Sequence, residues 1–129
     1  MRAIDTNVLV RLIAQDDSGQ VKAARDFVAK GAWVSHLVLA ETVWVLQSNY
    51  GFGPGAITDA VEMLLNHAQI VVQDADLASA ALAEFRRRPQ AGFSDCLILQ
   101  IALRNGHQPL GTFDRELGRM EGAERLKGA

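Results

Sequence analysis

The sequence has little cysteine, and it lacks any long apolar run. Cys96 is the single cysteine among 129 residues, so an internal disulfide is impossible. Disulfides persist in oxidising compartments, and their absence favours a reducing one. No apolar stretch is long enough to cross a bilayer. A strand predicted directly after Met1 leaves no room for a signal peptide. We therefore expect a protein of the cytoplasm.

The sequence also has no large excess of either positive or negative charge. Thirteen Lys and Arg against fifteen Asp and Glu give a net charge of −2, which argues against a strongly basic nucleic-acid binder. Residues 31–85 contain no Lys or Arg, and the acidic residues there are Glu41, Asp59, Glu62, Asp74, Asp76 and Glu84. The basic residues lie before and after this stretch, so one face of the protein can still be positive. A Gly-rich nucleotide loop with Lys and Ser or Thr is absent, which argues against an NTPase.

Strand-like and helix-like segments alternate along the chain with short links between them. The predicted strands are residues 2–5, 33–35, 70–72, 109–112 and, at an edge, 123–126. The predicted helices are residues 7–14, 20–30, 37–49, 56–66, 76–88, 94–104 and the short segment 115–120. This alternation predicts a three-layer α/β/α sandwich with a central parallel sheet. The length and the short links predict one domain over residues 1–129.

A polar triplet, Asp5-Thr6-Asn7, separates Ile4 from the apolar residues Val8-Leu9-Val10. This pattern indicates the end of a buried strand followed at once by a helix. In open parallel sheets, sites are built at the carboxyl ends of the strands. Two interpretations stay open at this point: Asp5 belongs to such a site, or it only caps the helix.

Glu41 lies in a strongly apolar helical segment. Its neighbours at helical spacing are Leu37, Val38, Trp44 and Val45, none of which can pair with a carboxylate. A buried and unpaired carboxylate is costly and tends to become neutral. We therefore favour a functional role for Glu41 over a position on a solvated edge of the helix.

Two further acidic residues precede helical segments. Asp95 opens the apolar run 96–103, and Asp114 follows residues 111–113 at the end of a predicted strand. Each also fits a helix cap or a first-turn acid, and Arg115 or Arg119 could pair with Asp114. If Asp5, Glu41, Asp95 and Asp114 meet at one edge of the predicted sheet, their four carboxylates repel one another unless a cation lies between them. Oxygen ligands without His or Cys suit Mg²⁺ or Mn²⁺ rather than zinc, and one or two such ions activate water and clamp a phosphate.

Four short motifs, in this order, resemble those of PIN-domain ribonucleases and, more narrowly, of the VapC-type toxins of bacterial toxin–antitoxin pairs. The motifs are Asp5-Thr6-Asn7, Glu41 within an apolar helix, Gly92-Phe93-Ser94-Asp95-Cys96-Leu97-Ile98, and Thr112-Phe113-Asp114-Arg115. The resemblance places Asp5, Glu41, Asp95 and Asp114 on the acidic metal-binding positions of the family. It places Asn7 and Thr112 on polar positions that support them. Members of the family often carry another acid near the last motif. In this chain the neighbouring polar position is Thr112, and the next acid is Glu116, two residues beyond Asp114. Whether the site holds one metal or two therefore stays open.

The resemblance implies a function as well as a fold. It implies an endoribonuclease that uses Mg²⁺ (or Mn²⁺) to hydrolyse RNA phosphodiesters, leaving a 3′-hydroxyl and a 5′-phosphate. Asp5, Asp95 and Asp114 are expected to ligate the metal, and Glu41 to ligate it or to orient the attacking water. The resemblance also implies a toxin that forms a homodimer and is inhibited by a small antitoxin blocking its pocket. The alternatives are a non-catalytic PIN-like module that binds a basic peptide, and a metal-dependent phosphatase.

Other residues have both a functional and a structural interpretation. Arg86, Arg87 and Arg88 end a predicted helix before Pro89. They can contact RNA phosphates, or complement the helix dipole in solvent, as we expect for at least one of them. Aromatic rings can stack on unpaired bases, but the apolar surroundings of Trp33 and Trp44 favour core packing. We expect His36 and His107 to be structural or at the surface, and Cys96 to be an inert core residue.

Overall fold

A computed structural model describes residues 1–128 of the chain. The backbone forms two compact units, Met1–Ala75 and Asp76–Ala129. The first unit contains strands β1 (Arg2–Ala3), β2 (Ala32–Val34) and β3 (Ile70–Val72), and helices α1 (Thr6–Ala14), α2 (Ser18–Val28), α3 (His36–Tyr50) and α4 (Pro54–Leu65). Helix α5 (Ala75–Arg87) begins at the boundary, and the second unit adds α6 (Phe93–Arg104), β4 (Leu110–Thr112), β5 (Ala123–Arg125) and the 3-10 turns Pro89–Ala91 and Leu117–Arg119. Within residues 1–128, no helix is long and apolar enough to cross a membrane.

The sheet of the first unit has the order β1-β2-β3, and both of its strand pairs are parallel. Side chains alternate along β2, where Ala32 and Val34 are buried and Trp33 is 36% exposed. The expectation that Trp33 packs in the core is therefore wrong, because the period of a strand turns it to the opposite side from its neighbours. The core of this unit consists of aliphatic side chains, the largest of which are Leu9, Leu39, Leu46, Ile57 and Leu64.

Side-chain caps determine where three helices of the first unit begin. Asp5 accepts a hydrogen bond from the backbone N–H of Val8, Asp17 from that of Gln20, and Ser35 from that of Val38. These acceptors satisfy N–H groups that have no partner within the helix. As a result α1, α2 and α3 begin one or two residues before the predicted positions.

In the second unit an aromatic pair connects α5 to α6. The rings of Phe85 and Phe93 lie edge to face, with centroids 6.1 Å apart and an interplanar angle of 89°, a favoured arrangement for buried rings. Strands β4 and β5 pair in parallel, which confirms the predicted edge strand. The predicted helix 115–120 is shorter than expected, with a single 3-10 turn at Leu117–Arg119. A Cβ atom at Gly118 would lie 2.7 Å from that of Arg125, so this turn packs closely against β5.

Among residues 1–128, every pair of neighbouring strands is parallel, and helices lie between successive strands of the first unit. Parallel pairing requires long crossover connections, which helices usually supply. The α/β class with parallel strands, predicted from the alternation of segments, is confirmed.

Candidate active site

A threonine hydroxyl connects Glu41 of α3 to the start of α1, the helix that Asp5 caps. Asp5 follows β1 and caps α1, since its Oδ1 accepts the N–H of Val8 at 3.1 Å. Thr6, the first residue of α1, donates its hydroxyl to Oε1 of Glu41 at 2.6 Å. This short bond joins the start of α1 to the middle of α3. The capping interpretation of Asp5 is thus confirmed, and the next residue along the chain, Thr6, is the one that contacts Glu41.

Glu41 is exposed rather than buried, which corrects the sequence-based expectation. Helix α3 buries a different stripe, made of Leu39, Thr42, Val43 and Leu46. These residues follow the spacing of one helical face, and Glu41 lies outside it. Its predicted apolar neighbours Leu37 and Trp44 are themselves 74% and 62% exposed. The predictions of a poorly solvated Glu41 and of a core position for Trp44 are therefore both wrong.

The second unit brings Asp95 and Asp114 together. Asp95 lies half-buried in the first turn of α6. Burial raises the pKa of its carboxyl group, and the negative charge of Asp114 raises that pKa further. Within the described part of the chain, neither carboxylate has a salt-bridge partner. Arg119, which could have paired with Asp114, lies 3.5 Å from Glu116 instead.

Thr112 and the following turn hold Asp114 in place. The backbone N–H of Asp114 donates to Oγ1 of Thr112 at 3.0 Å. Oδ2 of Asp114 accepts the N–H of Leu117 at 2.7 Å, so this acid caps the 3-10 turn. Two hydrogen bonds therefore fix the backbone and one carboxylate oxygen at the end of β4.

The donor set of the second unit fits a hard divalent cation. Mg²⁺ is usually held by one or two carboxylates together with waters and substrate phosphates, which a pair of acids without a cationic partner can provide. Over residues 1–128, no group of three or more His, Cys, Asp or Glu side chains forms a complete metal centre. Cys96 is not a ligand candidate, because burial, Glu84 and Asp95 raise the pKa of its thiol to about 12. It is the inert core residue that the sequence predicted.

The family model of the PIN domain matches residues 3–123, a range that includes all four acidic motifs. The chain belongs to the PIN-domain family. The predicted family and its α/β sandwich are thereby confirmed. A solved structure that matches is that of VapC20 from Mycobacterium tuberculosis, described as a toxin that cleaves the sarcin-ricin loop. It shares 21% sequence identity with this PIN domain at a TM-score of 0.45, and the match covers 96% of this chain and 98% of that one. The comparison with curated proteins gave no match.

Asn7 of this PIN domain is exposed and lines a cavity next to α1 and α2. The cavity has a volume of about 340 Å³, and Arg11, Gln20 and Phe27 line it together with Asn7. No hydrogen bond of the Asn7 side chain occurs among the described contacts that would tie it to an acid. Its predicted supporting role remains a prediction. Thr6, which the sequence analysis missed, is the side chain that contacts Glu41, and the only sequence signal for it is its place in the polar triplet.

The arginines at the end of α5 and the two histidines singled out in the sequence are the remaining candidate residues. Arg87 ends α5 and pairs with Glu84 of the same helix, whereas Arg88 lies beyond the helix and is exposed. Of the cluster Arg86, Arg87 and Arg88, at least Arg87 is thus a residue at the end of a helix, as expected, and its charge is paired with that of Glu84. His107 is exposed. The backbone N–H of His36 donates to the side chain of Gln73 at 2.9 Å, which gives His36 a structural position at the start of α3.

Proposed function

We propose that this PIN domain is a metal-dependent endoribonuclease of the cytoplasm and the toxin of a toxin–antitoxin pair. One observation carries the proposal: the family match over residues 3–123 includes an acidic pair, Asp95 and Asp114, that repel one another and have no described cationic partner. Such a pair is a favourable place for a divalent cation. The sequence motifs around Asp5 and Glu41 supply the other acids that the family resemblance expects.

Each acidic residue has a role in the proposed reaction. Asp95 and Asp114 would hold Mg²⁺ (or Mn²⁺), and the family resemblance adds Asp5 to the metal ligands. When bound, the ion would lower the pKa of a water molecule and stabilise charge on the phosphoryl oxygens. Glu41, positioned by the hydroxyl of Thr6, would help to ligate the ion or orient the water that attacks the phosphodiester. Cleavage would leave a 3′-hydroxyl and a 5′-phosphate.

The exposure of the acids supports a polymeric substrate over a small phosphoester. Asp5, Glu41 and Asp114 all lie at the open surface, and only Asp95 is half-buried. Pockets for small molecules usually enclose most of the ligand, whereas an RNA chain can lie across an open surface. The phosphatase alternative is therefore disfavoured. The proposal also includes a homodimer and a small antitoxin that covers the acids, both of which rest on the family resemblance.

Cleavage assays with matched variants test the proposal. The wild type should cleave structured RNA with Mg²⁺ or Mn²⁺, lose that activity with EDTA, and leave a small phosphoester intact. Asp5→Asn, Glu41→Gln, Asp95→Asn and Asp114→Asn should each lower the rate by at least about 100-fold, as for the loss of a group that stabilises the transition state. Asp59→Asn, an exposed change on α4, is the matched control and should cleave like wild type.

Variants of Thr6 test its contact with Glu41 in the same cleavage assay. Thr6→Val removes the donor to Glu41 at nearly constant shape and should slow cleavage, whereas Thr6→Ser should restore it. Full activity of Asp95→Asn and Asp114→Asn would overturn the proposed site. Binding of RNA without any cleavage by the wild type would instead favour the non-catalytic module.

A further inference from the structure

Two large aromatic side chains are exposed directly beside the candidate acids. Trp44 follows Glu41 by three positions on α3, and both side chains are exposed. Phe113 immediately precedes Asp114 and is 68% exposed. Phe85 and Phe93, by contrast, are each 1% exposed in the core. Trp44, at 62%, and Phe113 are also more exposed than Trp33, at 36%, so each unit has one strongly exposed aromatic ring next to an acid.

Packing within the units does not explain these two positions. Helix α3 already buries a complete stripe through Leu39, Val43 and Leu46, and Trp44 lies on another face together with Glu41. Phe113 lies in the link between β4 and the turn that Asp114 caps. An exposed ring offers a flat apolar face, and an unpaired nucleobase is a flat partner for such a face.

The composition of α3 favours bases over phosphates as the groups recognised on its exposed face. Residues 31–85 contain no Lys or Arg, so α3 has no cation with which to bind the RNA backbone. Stacking of bases on aromatic rings gives affinity without a positive charge. It requires unpaired bases, because bases inside a duplex are already stacked on one another.

We propose that Trp44 and Phe113 each stack on an unpaired base of the RNA beside the acids. This inference rests on the proposed ribonuclease function. It assigns a binding role to two residues outside the acidic set and gives a basis for choosing among RNAs.

Fluorescence of Trp44 can report the stacking directly. The chain has two tryptophans, so Trp33→Phe leaves Trp44 as the single one. The variant also carries Asp95→Asn to suppress cleavage and is titrated in Mg²⁺ with a single-stranded oligonucleotide, with its abasic counterpart, and with the matching duplex. We expect quenching by the single strand alone. Equal quenching by the abasic strand, or none by any of the three, would overturn the inference.

Affinity of matched variants gives a second readout. In the Asp95→Asn background, Trp44→Ala and Phe113→Ala should each weaken binding of the single strand by about 5- to 150-fold and leave binding of the abasic strand unchanged. Trp44→Phe should retain most of the affinity. Met63→Ala, which truncates an exposed apolar side chain on α4, is the control. Unchanged single-strand affinity in both alanine variants would overturn the inference. An alanine variant that changes its oligomeric state, seen as a changed molecular mass in solution, and loses no RNA binding would overturn it as well.

Cleavage by the wild type is measured separately, which distinguishes the two proposals. Base-dependent quenching without cleavage would support the stacking residues and overturn the nuclease function. Cleavage at the same sites and rates in wild type, Trp44→Ala and Phe113→Ala would support the nuclease function and overturn the stacking role.

Discussion

At the scale of single residues, a threonine hydroxyl contacts the candidate site in each unit. Thr6 donates to the carboxylate of Glu41, and Thr112 accepts the backbone N–H of Asp114. The acids themselves could be found from the sequence, because carboxylates interrupting apolar segments are unusual. The role of Thr6 could not be predicted from the sequence, because the residue that it contacts, Glu41, lies 35 positions away along the chain. The sequence predicts a poorly solvated Glu41, whereas the structure exposes it, because the buried stripe of α3 lies on another face.

Asp95→Asn should stabilise the metal-free protein at neutral pH. Burial and the charge of Asp114 raise the pKa of Asp95, so the ionised form is disfavoured in the folded state. Removing the charge should raise Tm by a few degrees at pH 7. Because the folded state binds this proton more tightly than the unfolded chain, the penalty in wild type shrinks as pH falls through the raised folded-state pKa and is gone below the ordinary value of 3.8. The advantage of the variant should shrink over the same range.

Thermal melts in EDTA across this pH range measure the effect. Asp59→Asn serves again as the matched control, because it removes an exposed carboxylate on α4. A stabilisation of equal size in both variants would mean that net charge, rather than the Asp95–Asp114 pair, is responsible. A lower Tm for Asp95→Asn at pH 7 would contradict the raised pKa.

At the scale of elements, the sequence located the helices and strands well and their ends less well. Apolar periodicity predicts the centres of α3 and α6, and Gly51, in the left-handed region at φ 67°, ends α3 one residue beyond the predicted range. The starts were placed too late because Asp17 and Ser35 cap their helices from just outside. Periodicity did not identify the buried face of α3, since apolar residues occur on nearly every side of it.

A polar network joins the end of α3 to the link between α1 and α2. Tyr50 donates its hydroxyl to Oδ2 of Asp16 at 2.7 Å. Arg11 donates to Oδ1 of Asp16 at 2.9 Å and to the Tyr50 hydroxyl at 3.0 Å. The hydrogen bond from Tyr50, followed by interactions that include the charge of Arg11, lowers the pKa of Asp16. The network therefore stabilises the folded state only while Asp16 is ionised.

Tyr50→Phe should lower Tm at pH 7, because Asp16 loses the donor that contributes most to its lowered pKa. A lowered folded-state pKa gives stability that is present above the unfolded value of 3.8 and is lost as pH falls through the folded pKa. The gap in Tm between wild type and Tyr50→Phe should therefore narrow at acidic pH. Asp16→Asn and the double variant complete a cycle, in which we expect the two losses not to add. Additive losses, or a gap independent of pH, would contradict the network.

At the scale of the whole molecule, class and family were predictable, whereas the surfaces were not. Alternating segments fix an α/β class because parallel strands need crossover connections, and four ordered motifs identify the PIN family, which the match over residues 3–123 confirms. Exposure depends on which faces of the elements pack, and the sequence placed Trp33 and Trp44 in the core incorrectly. The single domain over residues 1–129 and the homodimer remain predictions.

The net charge of the chain is −2, so RNA has to be attracted by local positive charge rather than by the overall charge. Arg87 is paired with Glu84 on α5, whereas Arg88 lies beyond the helix and is exposed. A phosphate contact releases counterions and makes affinity fall with salt, with a slope of about 0.7 per contact for single strands. In the cleavage-suppressed Asp95→Asn background, Arg88→Ala should reduce the salt slope of RNA binding by about that amount. Arg87→Ala should change it less, because Glu84 already neutralises that guanidinium.

Binding of a single-stranded oligonucleotide at several salt concentrations measures these slopes. Arg25→Ala, which removes an exposed charge on α2, controls for the loss of any one cation. If Arg88→Ala and Arg25→Ala lower the slope equally, RNA responds to net charge and not to the cluster. An unchanged slope in Arg88→Ala would mean that Arg88 only ends the helix in solvent. RNA would then be bound without this arginine, and a larger share of its affinity would have to come from uncharged contacts such as stacking.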